Sequence, residues 1–197
     1  MRNFPIDQDP RIDMTNQGQK GDVRNVDYTV YEEDIYVGYR YFESFNVPVS
    51  YPFGFGLSYT TFDYADAKIQ QKGGAYEVSV SITNTGKRDG KEVVQLYISA
   101  PDNQTANKPA KELKAYAKTN LLKPGESQTV TMTVKAADLA SFDADASAWV
   151  VAEGDYQFLV GASVQDIKAT LTAKATAQQT KVNNVMKPDV PMNLLKR

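Results

Sequence analysis

Apolar and polar residues alternate with a period of two in three stretches, at residues 76–82, 130–134 and 167–173. Successive side chains of a strand point to opposite faces, so each stretch predicts a β-strand with one buried side and one solvent-facing side. Residues 93–98 are apolar on both faces and predict a more central strand, while residues 156–160 alternate again. The dominant pattern of the chain is therefore that of a β protein.

Clusters of glycine, proline and asparagine separate these stretches, for example at residues 72–74 and 123–126. About seven short strands are expected, and no helical pattern is long enough to connect parallel strands. One helical turn is predicted at residues 138–142, with Asp138 as its cap. The pattern predicts an all-β fold, an antiparallel β-sandwich of the immunoglobulin or fibronectin type III kind, over residues 62–175.

The chain before this predicted sandwich follows a different pattern. Residues 35–42 are rich in aromatic and β-branched side chains, and they predict one strand. Residues 51–61 contain one proline and two glycines and predict a packed connector. Residues 1–27 have no periodicity, so we expect them to be poorly protected or held by another chain. Residues 176–197 are expected to form an extended tail.

Composition narrows the chemistry that the chain can perform. Of its 197 residues, 42% are hydrophobic, 11% aromatic and 23% charged, which is enough apolar surface for a core. Lys and Arg number 22 against 24 Asp and Glu, so the charge of −2 argues against a nucleic acid partner. There is no Cys and no His, which excludes disulfides, thiolate nucleophiles, Cys/His zinc sites and Ser-His-Asp triads. No apolar run reaches the roughly 18 residues of a membrane span, so no membrane partner is predicted.

Several motifs, in this order along the chain, closely resemble one protein family. Residues 31–42 and 51–62 resemble the junction that leads into the C-terminal domain of glycoside hydrolase family 3, which includes β-glucosidases and β-xylosidases. The likeness continues through the fibronectin type III-like domain of that family, at Asn84-Thr85-Gly86, residues 90–98, 111–116 and 122–126, Trp149, Glu153-Gly154 and residues 160–163.

The resemblance implies an architecture of three parts. In the family, a (β/α)8 barrel supplies an aspartate nucleophile, an α/β sandwich domain supplies the general acid/base, and the fibronectin-like domain packs behind them. Both catalytic motifs lie upstream of anything in this sequence. By this analogy, residues 1–50 are the last piece of the α/β sandwich domain, and the partners are the catalytic domains of the parent hydrolase. A periplasmic or secreted location is also implied.

The expected function is that of an accessory part of a hydrolase acting on β-glucosides or β-xylosides. The chain alone is predicted to be inactive, with no catalytic residues, no cofactor and no metal. The alternative is a stand-alone β-sandwich module that binds a carbohydrate or a protein through its loops, such as residues 100–109. Trp149 bears on this choice, because it is either a core anchor, the interpretation favoured here, or a platform for a sugar ring.

The acidic run Glu32-Glu33-Asp34 is the one dense carboxylate group that suggests catalysis. A retaining glycosidase needs two carboxyl groups about 5–5.5 Å apart across a sugar-sized cleft. Consecutive residues on a strand point to opposite faces, so a solvated acidic turn is the favoured interpretation.

Aromatic residues around residues 36–59 suggest a domain interface instead. A sugar-stacking surface formed by residues 36–42 is the alternative, but a buried strand with Arg40 paired to a carboxylate is favoured. If residues 35–42 form a strand without neighbours, self-association through it is expected. The residues predicted to form the interface are Tyr36, Tyr39, Arg40, Tyr41, Phe53, Phe55 and Tyr59.

Overall fold

The computed structural model describes residues 31–101, 107–188 and 192–197. One short helix, α1, precedes a series of ten strands, and a 3₁₀ helix at Ala136–Leu139 interrupts the series. The elements are α1 (Tyr39–Ser44), β1 (Phe62–Lys72), β2 (Ala75–Asn84), β3 (Val93–Ser99), β4 (Glu112–Lys118), β5 (Ser127–Lys135), β6 (Ser141–Asp143), β7 (Ala148–Val151), β8 (Gly154–Gly161), β9 (Ile167–Ala175) and β10 (Gln178–Lys181).

The strands form three antiparallel sheets. Two of them are the main layers, with strand orders β1-β2-β5 and β4-β3-β8-β9. The third is small and has the order β10-β7-β6. Neighbouring strands pair antiparallel throughout the described chain. The all-β antiparallel fold predicted from the alternating pattern is therefore confirmed.

The inner faces of the two main sheets share one hydrophobic core. On β2 the alternating apolar residues point inward, from Tyr76 to Ile82, and on β5 Val130, Met132 and Val134 do the same. The rings of Tyr76 and Phe158 meet across the core with centroids 5.0 Å apart. Polar residues between these positions face outward, which explains why a single period-two pattern is enough to form the sandwich.

The prediction that β3 is a central strand is also confirmed. It pairs with β4 on one side and with β8 on the other. Val94, Leu96 and Ile98 join the inner core, while Tyr97 is fully buried on the opposite face. The outer face of this sheet is thus covered as well, because residues before the sandwich lie over it.

The prediction of a strand at residues 35–42 is wrong. Residues 32–35 form a turn, Gly38 has a positive φ of 59°, and α1 begins at Tyr39. No described strand pairs with this segment, so its backbone must find partners within itself, and a helical turn provides them. Tertiary packing of the aromatic rings overrides their preference for strands. The premise of self-association through an unpaired strand is therefore removed.

The prediction that Trp149 anchors the core is also wrong. Trp149 lies on β7 of the small sheet, with its neighbour Ala148 fully buried and its own side chain 48% exposed. The two ends of β7, Ala148 and Val151, are buried, whereas Trp149 and Val150 between them are not. The indole instead packs edge-on against Phe142 on the neighbouring strand β6.

The helical turn predicted at residues 138–142 lies slightly earlier in the chain. The 3₁₀ helix spans Ala136–Leu139, and residues from Ser141 onward belong to β6. Asp138 still caps it, because its Oδ2 accepts a hydrogen bond of 3.0 Å from the backbone N–H of Lys135. The cap thus comes from inside the first turn instead of from the residue before it.

Two expectations concern the ends of the chain. The first, that residues 1–27 are poorly protected or held by another chain, concerns residues outside the described ones. Within the predicted extended tail, Gln178–Lys181 form β10, which pairs with β7, and residues 192–197 lie against the start of the described chain. Among the described residues, no helix is long and apolar enough to cross a membrane.

Candidate domain interface

A second apolar layer lies on the outer face of the four-stranded sheet, where Tyr39 and Phe53 pack against the sandwich. Its buried centre consists of Tyr97, Leu159 and Val164, with Tyr39, Leu113 and Ile167 packed around it. We call these six residues the outer cluster. Because Tyr39 comes from α1 and the others from the sandwich, the outer cluster joins the two parts of the chain.

Tyr39 is the residue of α1 that reaches deepest into this layer. Its ring stacks on Phe53 at a centroid distance of 4.6 Å and an angle of 23°, and it meets Tyr97 edge-on at 6.1 Å. Its hydroxyl oxygen accepts a hydrogen bond of 2.8 Å from the backbone N–H of Leu113 on β4. Such aromatic pairs add stability beyond their buried area, so Tyr39 links α1, the connector and the sheet at one point.

Gln95 of β3 contacts the connector through hydrogen bonds. Its Nε2 donates to the carbonyl of Ala162 at 2.6 Å and more weakly to that of Gly54 at 3.4 Å, while Tyr97 Oη donates to its Oε1. The backbone N–H of Val164 donates to the carbonyl of Phe53 at 3.0 Å. Gly54 has a φ of 84°, and a Cβ there would lie 2.3 Å from Gln95 Oε1. The close approach therefore requires glycine.

Ion pairs surround the outer cluster on the α1 side. Arg40 lies 3.6 Å from Glu112, measured from Nη2 to Oε1, and Lys111 Nζ lies 3.1 Å from Glu43 Oε2. Lys111 also donates to the carbonyl of Val164 at 2.8 Å. Half-buried pairs with several partners hold an orientation better than isolated surface pairs do. They fix the rotation of α1 over the sheet.

The connector leaves the layer after Phe53 and presents apolar side chains to solvent. Phe55 is exposed, Leu57 is 92% exposed and Tyr59 is 99% exposed. Single exposed apolar residues are ordinary, but three at alternate positions of a pinned segment form a patch. We call Phe55, Leu57 and Tyr59 the connector patch.

Asn84 connects the end of the connector to the sandwich by hydrogen bonds. It is fully buried, and its Oδ1 accepts from Thr60 Oγ1 at 2.6 Å and from the Gly86 backbone N–H at 3.1 Å. Its Nδ2 donates to the carbonyls of Arg88 and Leu122 at 2.7 and 2.8 Å. All four hydrogen-bonding positions of the amide are satisfied, as a buried polar group requires.

The structure divides the seven predicted interface residues into two groups. Tyr36, Tyr39 and Arg40 are engaged inside the chain, and the Tyr41 ring packs on Phe45 at 5.1 Å. Phe53 is half exposed and also stacks on Tyr39, whereas Phe55 and Tyr59 face solvent.

Sequence reasoning missed four residues of this region: Leu57, Asn84, Gln95 and Glu112. The sequence does point to Gln95, because a single polar residue in an otherwise apolar central strand must find hydrogen-bond partners.

The acidic run offers no catalytic pair. The turn predicted for it is present, but Glu32 is buried, Glu33 is half-buried and Asp34 is exposed. The solvated interpretation thus holds for Asp34 and is wrong for Glu32, whose backbone carbonyl accepts a hydrogen bond from Leu195. No group of three or more carboxylates suited to a metal ion occurs in the described part of the chain.

A carboxyl group and an amine of the sandwich are among the groups whose pKa values are shifted. Burial raises the pKa of Glu92, whose Oε1 accepts a hydrogen bond from Tyr64. Burial lowers the pKa of Lys108 to about 8. Both shifts follow from the desolvation of a charge within the sandwich.

Comparison with known proteins bears on the family. A model of the fibronectin type III-like domain matches residues 92–164. β-Glucosidase A of Butyrivibrio fibrisolvens is 44% identical over 193 residues, covering 87% of this chain and 23% of that protein. The structure of β-glucosidase 3B from Thermotoga neapolitana in complex with α-D-glucose has 48% identity and a TM-score of 0.75, covering 78% of this chain and 21% of that one.

A third relative carries the family designation. The crystal structure of the GH3 β-glucosidase of Bifidobacterium adolescentis has 34% identity and a TM-score of 0.71, and it covers 79% of this chain and 23% of that one. The chain belongs to glycoside hydrolase family 3. It contains the fibronectin type III-like domain of that family, which confirms both the resemblance and the predicted type of sandwich. This family 3 chain spans about a fifth of the length of the curated relatives it matches.

Proposed function

We propose that this chain is the non-catalytic accessory part of a glycoside hydrolase that acts on β-glucosides. The observation that carries the proposal is the pinned connector, which leaves the outer cluster and displays the connector patch to solvent. Relatives named β-glucosidases support glucosides over the xylosides that the family also includes. The role of the chain is then to hold the catalytic domains of the parent hydrolase in position.

The proposal includes a division of the chain. Residues 1–50 are the last piece of an α/β sandwich domain, residues 51–61 are a connector, residues 62–175 are the fibronectin type III-like sandwich and residues 176–197 are a tail. The placement of α1 over the outer face supports this division, since β1 begins only at Phe62.

The connector patch is proposed as the surface that contacts the catalytic domains. Phe55, Leu57 and Tyr59 would each bury most of their side chain against a neighbour, and apolar area removed from water stabilises by about 25 cal/mol per Å². Tyr36, Tyr39, Arg40, Tyr41 and Phe53 then act behind the patch, by fixing α1 and the connector on the sheet. Self-association through the same patch is the competing outcome.

An activity assay tests the non-catalytic role. The purified 197-residue chain is incubated with aryl β-glucosides and aryl β-xylosides, and release of the aryl group is followed. We expect no turnover above the uncatalysed rate. Turnover by the pure chain would overturn the proposal.

A matched pair of double variants tests the interface. Leu57→Ser with Tyr59→Ser removes the most exposed part of the connector patch, and Val185→Ser with Met186→Ser removes comparably exposed residues elsewhere, Val185 being 83% exposed. In the 197-residue chain, both variants should change the free energy of unfolding by less than about 0.5 kcal/mol. In a longer protein that includes the catalytic domains, only the first should lower the unfolding temperature and the activity. Equal effects of both variants there would contradict the interface, and a concentration-dependent dimer of the short chain would favour self-association.

A second candidate function, sugar binding by the sandwich, is favoured by one observation. Phe142 and Trp149 form an exposed edge-to-face pair with ring centroids 5.5 Å apart on the small sheet. Aromatic faces suit the apolar faces of pyranose rings. Because Trp149 is the sole tryptophan, its fluorescence reports binding directly. Saturable quenching by oligosaccharides that Phe142→Ala weakens, in a variant that keeps the reporter, would support this function, and a flat titration would reject it.

A further inference from the structure

The side chain of Asn107 joins three parts of the chain that are far apart in sequence. Its Oδ1 accepts hydrogen bonds from the hydroxyl of Tyr36 and from the backbone N–H of Arg197, the latter at 3.1 Å. Its Nδ2 donates to the carbonyl of Leu195 at 2.8 Å. A single amide thus binds both the segment before the sandwich and the segment after it.

A backbone hydrogen bond closes the same contact directly. The N–H of Leu195 donates to the carbonyl of Glu32 at 2.7 Å. Leu195 is therefore held on both sides, through its N–H by Glu32 and through its carbonyl by Asn107. Leu194 and Leu195 are also partly buried, unlike most residues of the tail.

The residues that follow Asn107 hold it in position. The next residue, Lys108, donates from Nζ to the carbonyl of Leu139 at 2.6 Å, and the ammonium lies 5.6 Å from the centre of the Tyr156 ring. Three residues after Asn107, the N–H of Ala110 donates to Ser44 Oγ at the end of α1. The amide of Asn107 is thereby tied to the sandwich and to α1.

Tyr36 is the residue most firmly held by this arrangement. It is fully buried, and its ring meets Phe45 edge-on with centroids 5.1 Å apart. Release of residues 31–47 from the sandwich requires Tyr36 to leave its site and to break the hydrogen bond to Asn107. Release of residues 192–197 breaks the remaining bonds of the same amide.

We propose that residues 192–197 form a clasp that closes over residues 31–47 through Asn107, so that the two segments open together as one cooperative unit. Local opening of contiguous units, with a free energy below that of global unfolding, is common in proteins. Here the unit is made of two segments distant in sequence. The proposal rests on contacts within this chain, so it stands or falls independently of the proposed function.

Hydrogen exchange of the 197-residue chain tests the clasp. The reporters are the amides of Tyr41, Phe45 and Val47, which are hydrogen-bonded within residues 38–47. Two variants open the clasp from different sides, a deletion of residues 192–197 and Asn107→Ala. The matched control is Asn183→Ala, which removes an exposed asparagine of the same tail.

Both clasp variants should accelerate exchange at the three reporters by about tenfold or more, while amides of β2 and β5 keep their rates. Asn183→Ala should leave all rates unchanged. In the reverse direction, Tyr36→Phe, which keeps the ring and removes the hydroxyl, should accelerate exchange at the Leu195 amide. Unchanged reporter rates after the deletion would overturn the proposal. Equal acceleration of β2 and β5 would overturn it as well, because the segment would then open only with the whole fold.

Discussion

The hydroxyl of Tyr64 on β1 donates a hydrogen bond of 2.7 Å to Oε1 of Glu92, just before β3. This contact spans the two main sheets at one end of the sandwich. Burial raises the pKa of Glu92, while the Tyr64 hydroxyl and the charge of Lys168 oppose the rise. The fold therefore places a carboxylate where its ionised form is less favourable than in water.

Replacement of Glu92 by Gln is expected to change how stability depends on pH. A pKa raised in the folded state means that Glu92 contributes stability below its ordinary value of 4.5, and that this contribution is lost as pH rises through the folded value. Glu92→Gln stays neutral and keeps an oxygen that accepts from Tyr64. The free energy of unfolding of the natural chain relative to this variant should therefore fall as the pH rises above about 4.5. Urea unfolding at several pH values measures it.

Tyr64→Phe provides the companion variant for this test. It removes the donor that lowers the pKa of Glu92, so the folded-state pKa should rise further. The fall in stability with pH should then be larger than in the natural chain. A difference between natural chain and Glu92→Gln that does not vary with pH would contradict the assigned shift.

Replacement of Asn84 by Ala is expected to be among the most damaging single changes in the sandwich. It removes four hydrogen bonds and leaves the carbonyls of Arg88 and Leu122 without this donor. We expect a loss of about 3 kcal/mol in the free energy of unfolding. Asn120→Ala, at an exposed position, should cost less than about 0.5 kcal/mol. Similar small losses for both variants would show that Asn84 is not a structural centre.

The sequence predicts those strands whose alternation is regular and whose inner face is apolar. Residues of β2, β5 and β9 satisfy both conditions, and β3 is recognisable because it is apolar on both faces. In β1 a bulge between Ala65 and Lys68, with Asp66 at a φ of 52°, shifts the register and breaks the alternation. In β10 all four residues are polar and exposed, so no pattern exists.

The remaining wrong predictions concern segments whose structure is determined by contacts between residues that are distant in sequence. Residues 35–42 have the composition of a strand, but they lie on a sheet face where no ladder is available, and α1 forms instead. The link from Tyr36 to Asn107 crosses 71 positions, and no local pattern records it. Trp149 shows the same limit, since its exposure depends on β7 belonging to a third sheet.

Glycine at position 54 is expected to be required by a neighbouring side chain and not by backbone conformation alone. Gly54 and Gly73 both have positive φ, 84° and 58°, but a Cβ at Gly73 would meet nothing within 4 Å. Gly73→Ala should therefore cost about 1 kcal/mol of conformational strain. Gly54→Ala should cost about 2 kcal/mol more, because Gln95 must move and lose its hydrogen bond to Ala162. Thermal unfolding of the two variants measures the difference, and equal costs would refute the role of Gln95.

Lys108 gives the sandwich a charge that is costly at neutral pH. Its Nζ is desolvated beside Tyr156 and the carbonyl of Leu139. The charge of Glu112 opposes the resulting fall in pKa, and the weaker repulsion from Lys114 adds to that fall. Burial lowers the pKa of this amine to about 8, from an ordinary value of 10.5. Between these two values the unfolded chain binds more protons than the folded chain, so stability rises with pH.

Two substitutions isolate this effect, because Lys108→Arg stays charged and Lys108→Met stays neutral at every pH used. Tyrosine ionisation lowers stability above about pH 10 in all three proteins, so the comparison is made from pH 7 to pH 9.5. The free energy of unfolding of the natural chain should rise across this range relative to both variants, whose difference from each other should stay constant. Chemical denaturation at pH 7, 8, 9 and 9.5 measures it. If the natural chain instead keeps a constant difference from Lys108→Met, the amine holds its proton throughout the range, and the lowered pKa of Lys108 is refuted.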